Sequence, residues 1–501
     1  MDHFVQPLPS APASGAFPVL NDPSYPFASE RQIGWQQAVV AFYVTSGVFW
    51  LVLASLFWWL NTAQAMAPNA WYAFPDVPWL TYGRVFPAFT NAFVFGWASL
   101  TGLGVAFYFL GRLSRLSWQW GVLLATAGLI WDLVLALGLW HILGGGSTGR
   151  ELLEIHPSIA CGFFLAAGLV SVWLLVEFWA HRNAVGYVSL WYLLAAVLAF
   201  LWVFSTGEIL INIWRTGGAA QPAIQSWYVN GIHQLWLVPL ALAVTYFLIP
   251  EGTDRPVYSR RLSLLGFWGY TGLAAWAGLS SFLGGPFPAW MSTVTIVANV
   301  LLLIPVLCLC VNFHFMLKGQ GRAVGSNLSL RFVTTGFFLF VAAAFWTALV
   351  SFRSVDSILH FTLAMAARSS LLIAGFVSFT LSGAVYYVLP RLLRRAWLSP
   401  LLVSLHFWFA VIGLGLLLAA EVIGGMVQGF GLADPKVDFA AITDLLQPFL
   451  LVQVIAVGLL FVAHVLLAIS VGLFLVFRVR ERHPAAVPEA RVVTRAEVPV
   501  A

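Results

Sequence analysis

Four ionisable side chains, Asp132, Glu208, Arg368 and Glu421, fall inside long apolar stretches of this 501-residue chain. A charged group in hydrocarbon costs about 2.5–3.5 kcal/mol on insertion scales, so such residues mark a water-filled cavity, a proton or ion pathway, or a partner of opposite charge. Arg368, near the start of the run 365–391, is the sharpest case, and the plainer expectation is that it pairs with one of the three acids. Ser280 and Ser281 offer adjacent hydroxyls, but no histidine and acid follow at a spacing that would activate a nucleophile, so helix serines bonded to backbone are expected. GGGSTG at 144–149 lacks the Lys-Ser/Thr of a phosphate loop and reads as a plain loop. Cys161, Cys308 and Cys310 all lie in apolar runs, where cysteine packs as a small hydrophobe. No zinc-type Cys/His spacing, nucleotide-binding glycine motif or nucleic-acid-reading basic stripe is present.

The elements that must position these groups follow from composition. Hydrophobic residues make up 61% of the chain and charged residues 9%, with a mean hydropathy of +0.90; soluble domains carry about 25% charged residues. The chain is therefore expected to be a polytopic membrane protein whose partner is the lipid bilayer. Its runs are 20 to 30 residues long without period-two alternation, which makes them helices and not barrel strands. Twelve spans are expected, near 34–60, 86–111, 118–143, 157–180, 188–213, 227–250, 262–283, 289–317, 329–352, 364–389, 400–428 and 446–478. Tryptophan and tyrosine gather at the run ends, as an interfacial belt requires.

Basic residues divide the connections into two sets. Even-numbered connections carry twelve Lys and Arg, against five in the odd ones: Arg84, Arg150, Arg215, Arg353 and Lys436. The positive-inside rule then places the even loops and both termini in the cytoplasm, the C-terminus with Arg478, Arg480 and Arg482. Residues 1–33 read as a cytoplasmic arm, 34–480 as one membrane domain and 481–501 as a cytoplasmic tail. Loops 61–85, 144–156, 214–226 and 429–445 are longer and could receive an extracytoplasmic partner.

Several phrases stand together: GRVFPAFTNAFVFGW (83–97), GRELLE (149–154), QSWYVN (225–230), RPVYSRRLSLLGFW (255–268), WAGLSSFLGGPFPAW (276–290), FVSFTLSGAVYYVLPRL (376–392) and LHFWFAVIG (405–413). Their order and spacing resemble subunit I of the haem-copper oxidases, most closely the cbb-type cytochrome c oxidases, from about residue 36 to 478. The resemblance implies an all-α bundle of twelve transmembrane helices in a bacterial cytoplasmic membrane. It also implies two haems, one copper and oxygen reduction coupled to proton pumping, all dependent on histidines at fixed places.

Those places hold other residues here. Phe89 stands where a low-spin haem ligand is expected, and a phenyl ring has no lone pair for iron. Asn230 stands for one copper histidine, with His233 three residues on as a stand-in, and Ser280 and Ser281 replace the other two. Ala274 aligns with the tyrosine beside the copper, Arg368 and Ser370 with the paired haem ligands, and Trp346 with an acid on a proton path. His141, His156, His314, His360, His406 and His464 could hold haem b only in a relocated arrangement.

The expectation is a family member with no cofactor, inactive on its own. It would be a structural subunit of a respiratory or other electron-transfer complex, beside other membrane and cytochrome-bearing subunits. Two alternatives remain: an active oxidase or related reductase with relocated haem ligands, and a proton or ion conduit through the vacated cavity.

Overall fold

The computed structural model describes residues 30–68, 78–114, 120–180, 187–282 and 285–477. The expected arm up to residue 29, the expected tail, and Arg115, Arg182, Arg478, Arg480 and Arg482 lie outside the described residues. Every regular element among them is helical, as a backbone in hydrocarbon must be to satisfy its own polar groups.

Twelve principal helices follow in the expected order: α1 Glu30–Met66, α2 Tyr82–Gly111, α3 Gly121–Leu143, α4 Pro157–Ala180, α5 Val188–Ile213, α6 Ala220–Thr253, α7 Arg260–Ala274, α8 Ala289–Leu317, α9 Leu328–Val350, α10 Leu363–Leu393, α11 Pro400–Ala433 and α12 Phe439–Val476. Eleven of them are long and apolar enough to cross a membrane. The exception is α7, whose 15 residues reach only about 22 Å. Beyond it the chain turns and resumes as a 3₁₀ helix, Ala277–Phe282, so the expected continuous span 262–283 is broken.

Side-chain caps set several starts. Ser259 caps α7 through Leu262 N at 3.3 Å, and Asp438 caps α12 through Ala441 N at 2.7 Å; both satisfy otherwise orphaned amides. Helices α11 and α12 form a long antiparallel hairpin that packs on α1. Helices α2, α6 and α10 are almost wholly enclosed by the rest. Aromatic rings of Phe95, Trp131, Phe163, Phe200 and Trp236 tie α2, α3, α4, α5 and α6 together. Close approach is built in at Gly425, where a Cβ would collide with the backbone of Ala364; this seats α11 against the chain entering α10.

Four helices open into π turns: Ala92–Ala98 in α2, Glu208–Ile213 in α5, Ile232–Leu237 in α6 and Ser370–Val377 in α10. Such turns are rare and cluster at functional positions.

Candidate functional site

The enclosed helices α2, α6 and α10 carry five of the positions singled out in the sequence: Phe89, Asn230, His233, Arg368 and Ser370. On α6, Asn230 is buried and uses both ends of its amide. Its Nδ2 donates to the carbonyl of Ala274, the last residue of α7, at 2.9 Å, and its Oδ1 accepts from Arg368 Nη2 at 3.3 Å. The break after α7 frees carbonyls that side chains then take up: Thr295 Oγ1 donates to Trp276 O at 3.0 Å, and Ser226 Oγ donates to Gly278 O. Gly278 is required there, since a Cβ would lie 2.9 Å from Asn230 Cβ. The backbone of Ser280 and Ser281 belongs to the 3₁₀ turn; their side chains lie outside the description.

His233 is half-buried one turn beyond Asn230, within electrostatic reach of Arg368, as is Tyr270. Tyr270 donates its hydroxyl to Gln234 Oε1. Beside this pair lies a small cavity of about 20 Å³ lined by Gln234, Tyr270, Asn299, Phe340, Thr347 and Leu372, room for about one water.

The other set of positions is filled differently. Phe89 stacks on Trp58 of α1, with centroids 5.0 Å apart and planes at 11°, and meets Phe86 and Phe93 edge-on. Ser370 Oγ donates to Glu421 Oε1 of α11 at 2.8 Å, while Glu421 Oε2 is buried without a partner. Ala274 is fully buried, and Trp346 Nε1 donates to Ala364 O at 3.3 Å.

The expected pairing of Arg368 with an acid is not found among the described residues. Asp132 accepts from Ser46 Oγ and Trp50 Nε1, each at 2.7 Å. Glu208 accepts from Asn212 Nδ2 at 2.8 Å, and Asn212 in turn accepts from Arg150 at 2.9 Å. Asp132 and Glu208 are thus held by neutral donors, and Glu421 by Ser370 through one of its two oxygens.

Glu154, in the loop between α3 and α4, escaped the sequence reading although it closes the GRELLE phrase. It is 2% exposed, accepts from Asn91 Nδ2 at 2.7 Å, and burial pushes its carboxyl up to about 8 against that hydrogen bond. Only its place in the fold reveals it.

The histidines are dispersed. His141 and His156 face each other with ring centroids 5.9 Å apart beside that loop. His360 Nδ1 lies 2.9 Å from Asp356, and His314 packs on Phe315. His406 and His464 face each other at 6.4 Å, with Tyr386 hydroxyl 2.9 Å from His406 Nδ1. No group of three or more His, Cys, Asp or Glu suited to a metal occurs among the described residues, and Cys161, Cys308 and Cys310 are free thiols.

Twelve helices in this order, with Phe89, Asn230, His233, Arg368 and Ser370 on the enclosed helices α2, α6 and α10, define a multi-pass membrane subunit of the respiratory-oxidase type. The chain belongs to the family Cytochrome C and Quinol oxidase polypeptide I, which matches residues 38–459. It is 26% identical over 365 residues to the Cbb3-type cytochrome c oxidase subunit CcoN1 of Stutzerimonas stutzeri, covering 71% of this chain and 76% of that one. It is 27% identical over 374 residues to Cytochrome c oxidase subunit 1 of Rhodobacter capsulatus, covering 70% and 68%. The fold resembles a solved heme-copper terminal oxidase dimer at a TM-score of 0.73, with 13% identity over 90% of this chain and 88% of that one.

Proposed function

We propose that this chain is a non-catalytic, structural subunit of an electron-transfer complex, a cytochrome c oxidase subunit I-like scaffold without the redox centre. One observation carries the reading: the residues at the ligand positions are poor donors already engaged elsewhere. Phe89 has no lone pair and is stacked on Trp58; Asn230 is held between Ala274 O and Arg368; Ser370 is committed to Glu421. Iron and copper in this family's chemistry need imidazole nitrogen, so this donor set fits neither. His233, the remaining imidazole near the copper position, has the Arg368 cation for company, and a second cation there is disfavoured.

The scaffold lies in the bacterial cytoplasmic membrane with both termini cytoplasmic. It keeps the arm 1–33 and the tail 481–501 on that side, and it meets cytochrome-bearing subunits on the opposite face. An active oxidase with relocated ligands would find its best facing pair in His406 and His464, but Tyr386 holds His406 and the ring of Phe332 lies 4.8 Å from it. The test is a reduced-minus-oxidised difference spectrum of the purified complex, with pyridine haemochrome and copper analysis. Haem and copper in amounts explained by the partner subunits alone are expected; stoichiometric haem b and copper assigned to this chain would overturn the proposal.

A further inference from the structure

Asp132 differs from the other interior acids in where it sits. Glu154, Glu208 and Glu421 are 2%, 8% and 5% exposed, whereas Asp132 stays partly exposed on the lateral surface of the bundle, between the exposed Leu129 and Leu133. It is the middle residue of α3, about 16 Å from either end of the helix. An acid at that depth ordinarily faces the bundle interior or a water-filled cavity, where it finds partners. Here Ser46 and Trp50 of α1 hold the carboxylate from the protein side, each at 2.7 Å. Two donors leave part of a carboxylate's capacity of about four hydrogen bonds unused.

The surroundings have the form of a helix seat. Val122, Thr126, Leu129, Leu133, Ala136 and Trp140 are exposed along α3 at alternating intervals of four and three, the spacing of a seam between packed helices. Asp132 borders this stripe on the side toward α1, where Phe49 is 60% exposed. Lipid covers leucine and phenylalanine without penalty, but it offers a carboxylate neither hydrogen bond nor countercharge. A cation offers both, at a strength that low-dielectric surroundings raise. Among the described residues every Lys and Arg lies in a loop or within two turns of a helix end, and Arg368, the furthest in, is bonded to Asn230. Of the undescribed stretches, 1–29, 69–77 and 283–284 contain no Lys or Arg, and 115–119, 181–186 and 478–501 adjoin helix ends. The chain thus supplies no cation at the depth of Asp132, which also rules out a second copy as the partner.

We propose that the groove between α1 and α3 seats a transmembrane helix of a companion subunit, one that carries a Lys or Arg halfway along and pairs it with Asp132. This goes beyond the scaffold reading, which places partners on the face opposite the cytoplasm, and it stands whether or not the chain holds haem.

The experiment uses the purified full chain with a donor dye at its N-terminus, in liposomes with acceptor-labelled leucine-rich helices of about 23 residues whose central residue is Lys or Leu. Energy transfer to the Lys helix should reach half-saturation at a peptide density at least about fivefold lower than for the Leu helix, and Asp132→Asn should abolish the difference. A photoreactive residue in place of Leu129 should capture the Lys helix, and one in place of Ile304, exposed on α8, should not. Equal transfer to the two helices, a preference that survives in Asp132→Asn, or capture at Ile304 as strong as at Leu129 would each overturn the proposal.

Discussion

Two places in the bundle that the sequence marks, one around Phe89 and one around Arg368, are filled by opposite means. Around Phe89 the solution is apolar: an aromatic ring lies flat on Trp58, with Phe86 and Phe93 at its edges. Around Arg368 it is polar: a guanidinium, an amide spanning two helices and the carbonyls of a broken helix. The first arrangement is what stability alone would select, because stacked rings bury area at no electrostatic cost. The second holds a buried cation with no acidic partner among the described residues, which stability alone would remove. A residue that costs stability where a neutral one would fit points to a retained role.

This contrast can be broken. Trp58→Ala should have the largest effect, lowering stability in detergent by about 3 kcal/mol through lost stacking and an unfilled space; thermal unfolding followed by intrinsic fluorescence reads it. Arg368→Met should move the other way, raising stability by about 2 kcal/mol, since an apolar side chain of similar length removes a buried cation. A loss of stability at Arg368→Met would mean that the polar region is held together by its charge, and the contrast between the two places would vanish. Ser370→Ala should cost least, about 1 kcal/mol, by removing one donor from Glu421; a cost as large as that of Trp58→Ala would show that a single polar contact holds the bundle as firmly as the aromatic stack.

Much of the architecture was legible in the chain itself. Apolar run lengths mark the helices, and the motif phrases RPVYSRRLS and YYVLPRL fix their order. What escaped depends on residues distant in sequence. Asp132 is one of three acids the sequence offers Arg368, but Ser46 and Trp50, 86 and 82 positions away, hold it instead. The break after α7 leaves no mark in the run 262–283, because the donors that make it tolerable, Asn230, Thr295 and Ser226, come from α6 and α8. Glu154 reads as an ordinary loop acid; its burial comes from the way its loop settles over Asn91.

The π turns have a further consequence. Each is equivalent to one additional residue threaded into an α-helix, and three of the four begin at or within three positions of Phe89, Asn230 or Ser370. One residue corresponds to about 100° of rotation. Everything downstream of such a turn is thereby re-phased, so α6 aims Asn230 at Arg368 and yet brings Gln234 round to Tyr270 and Trp236 to Ser99. Single-residue deletions there would spin half a helix out of alignment with its neighbours, which makes the length of these segments a stricter constraint than the chemistry of any side chain they carry.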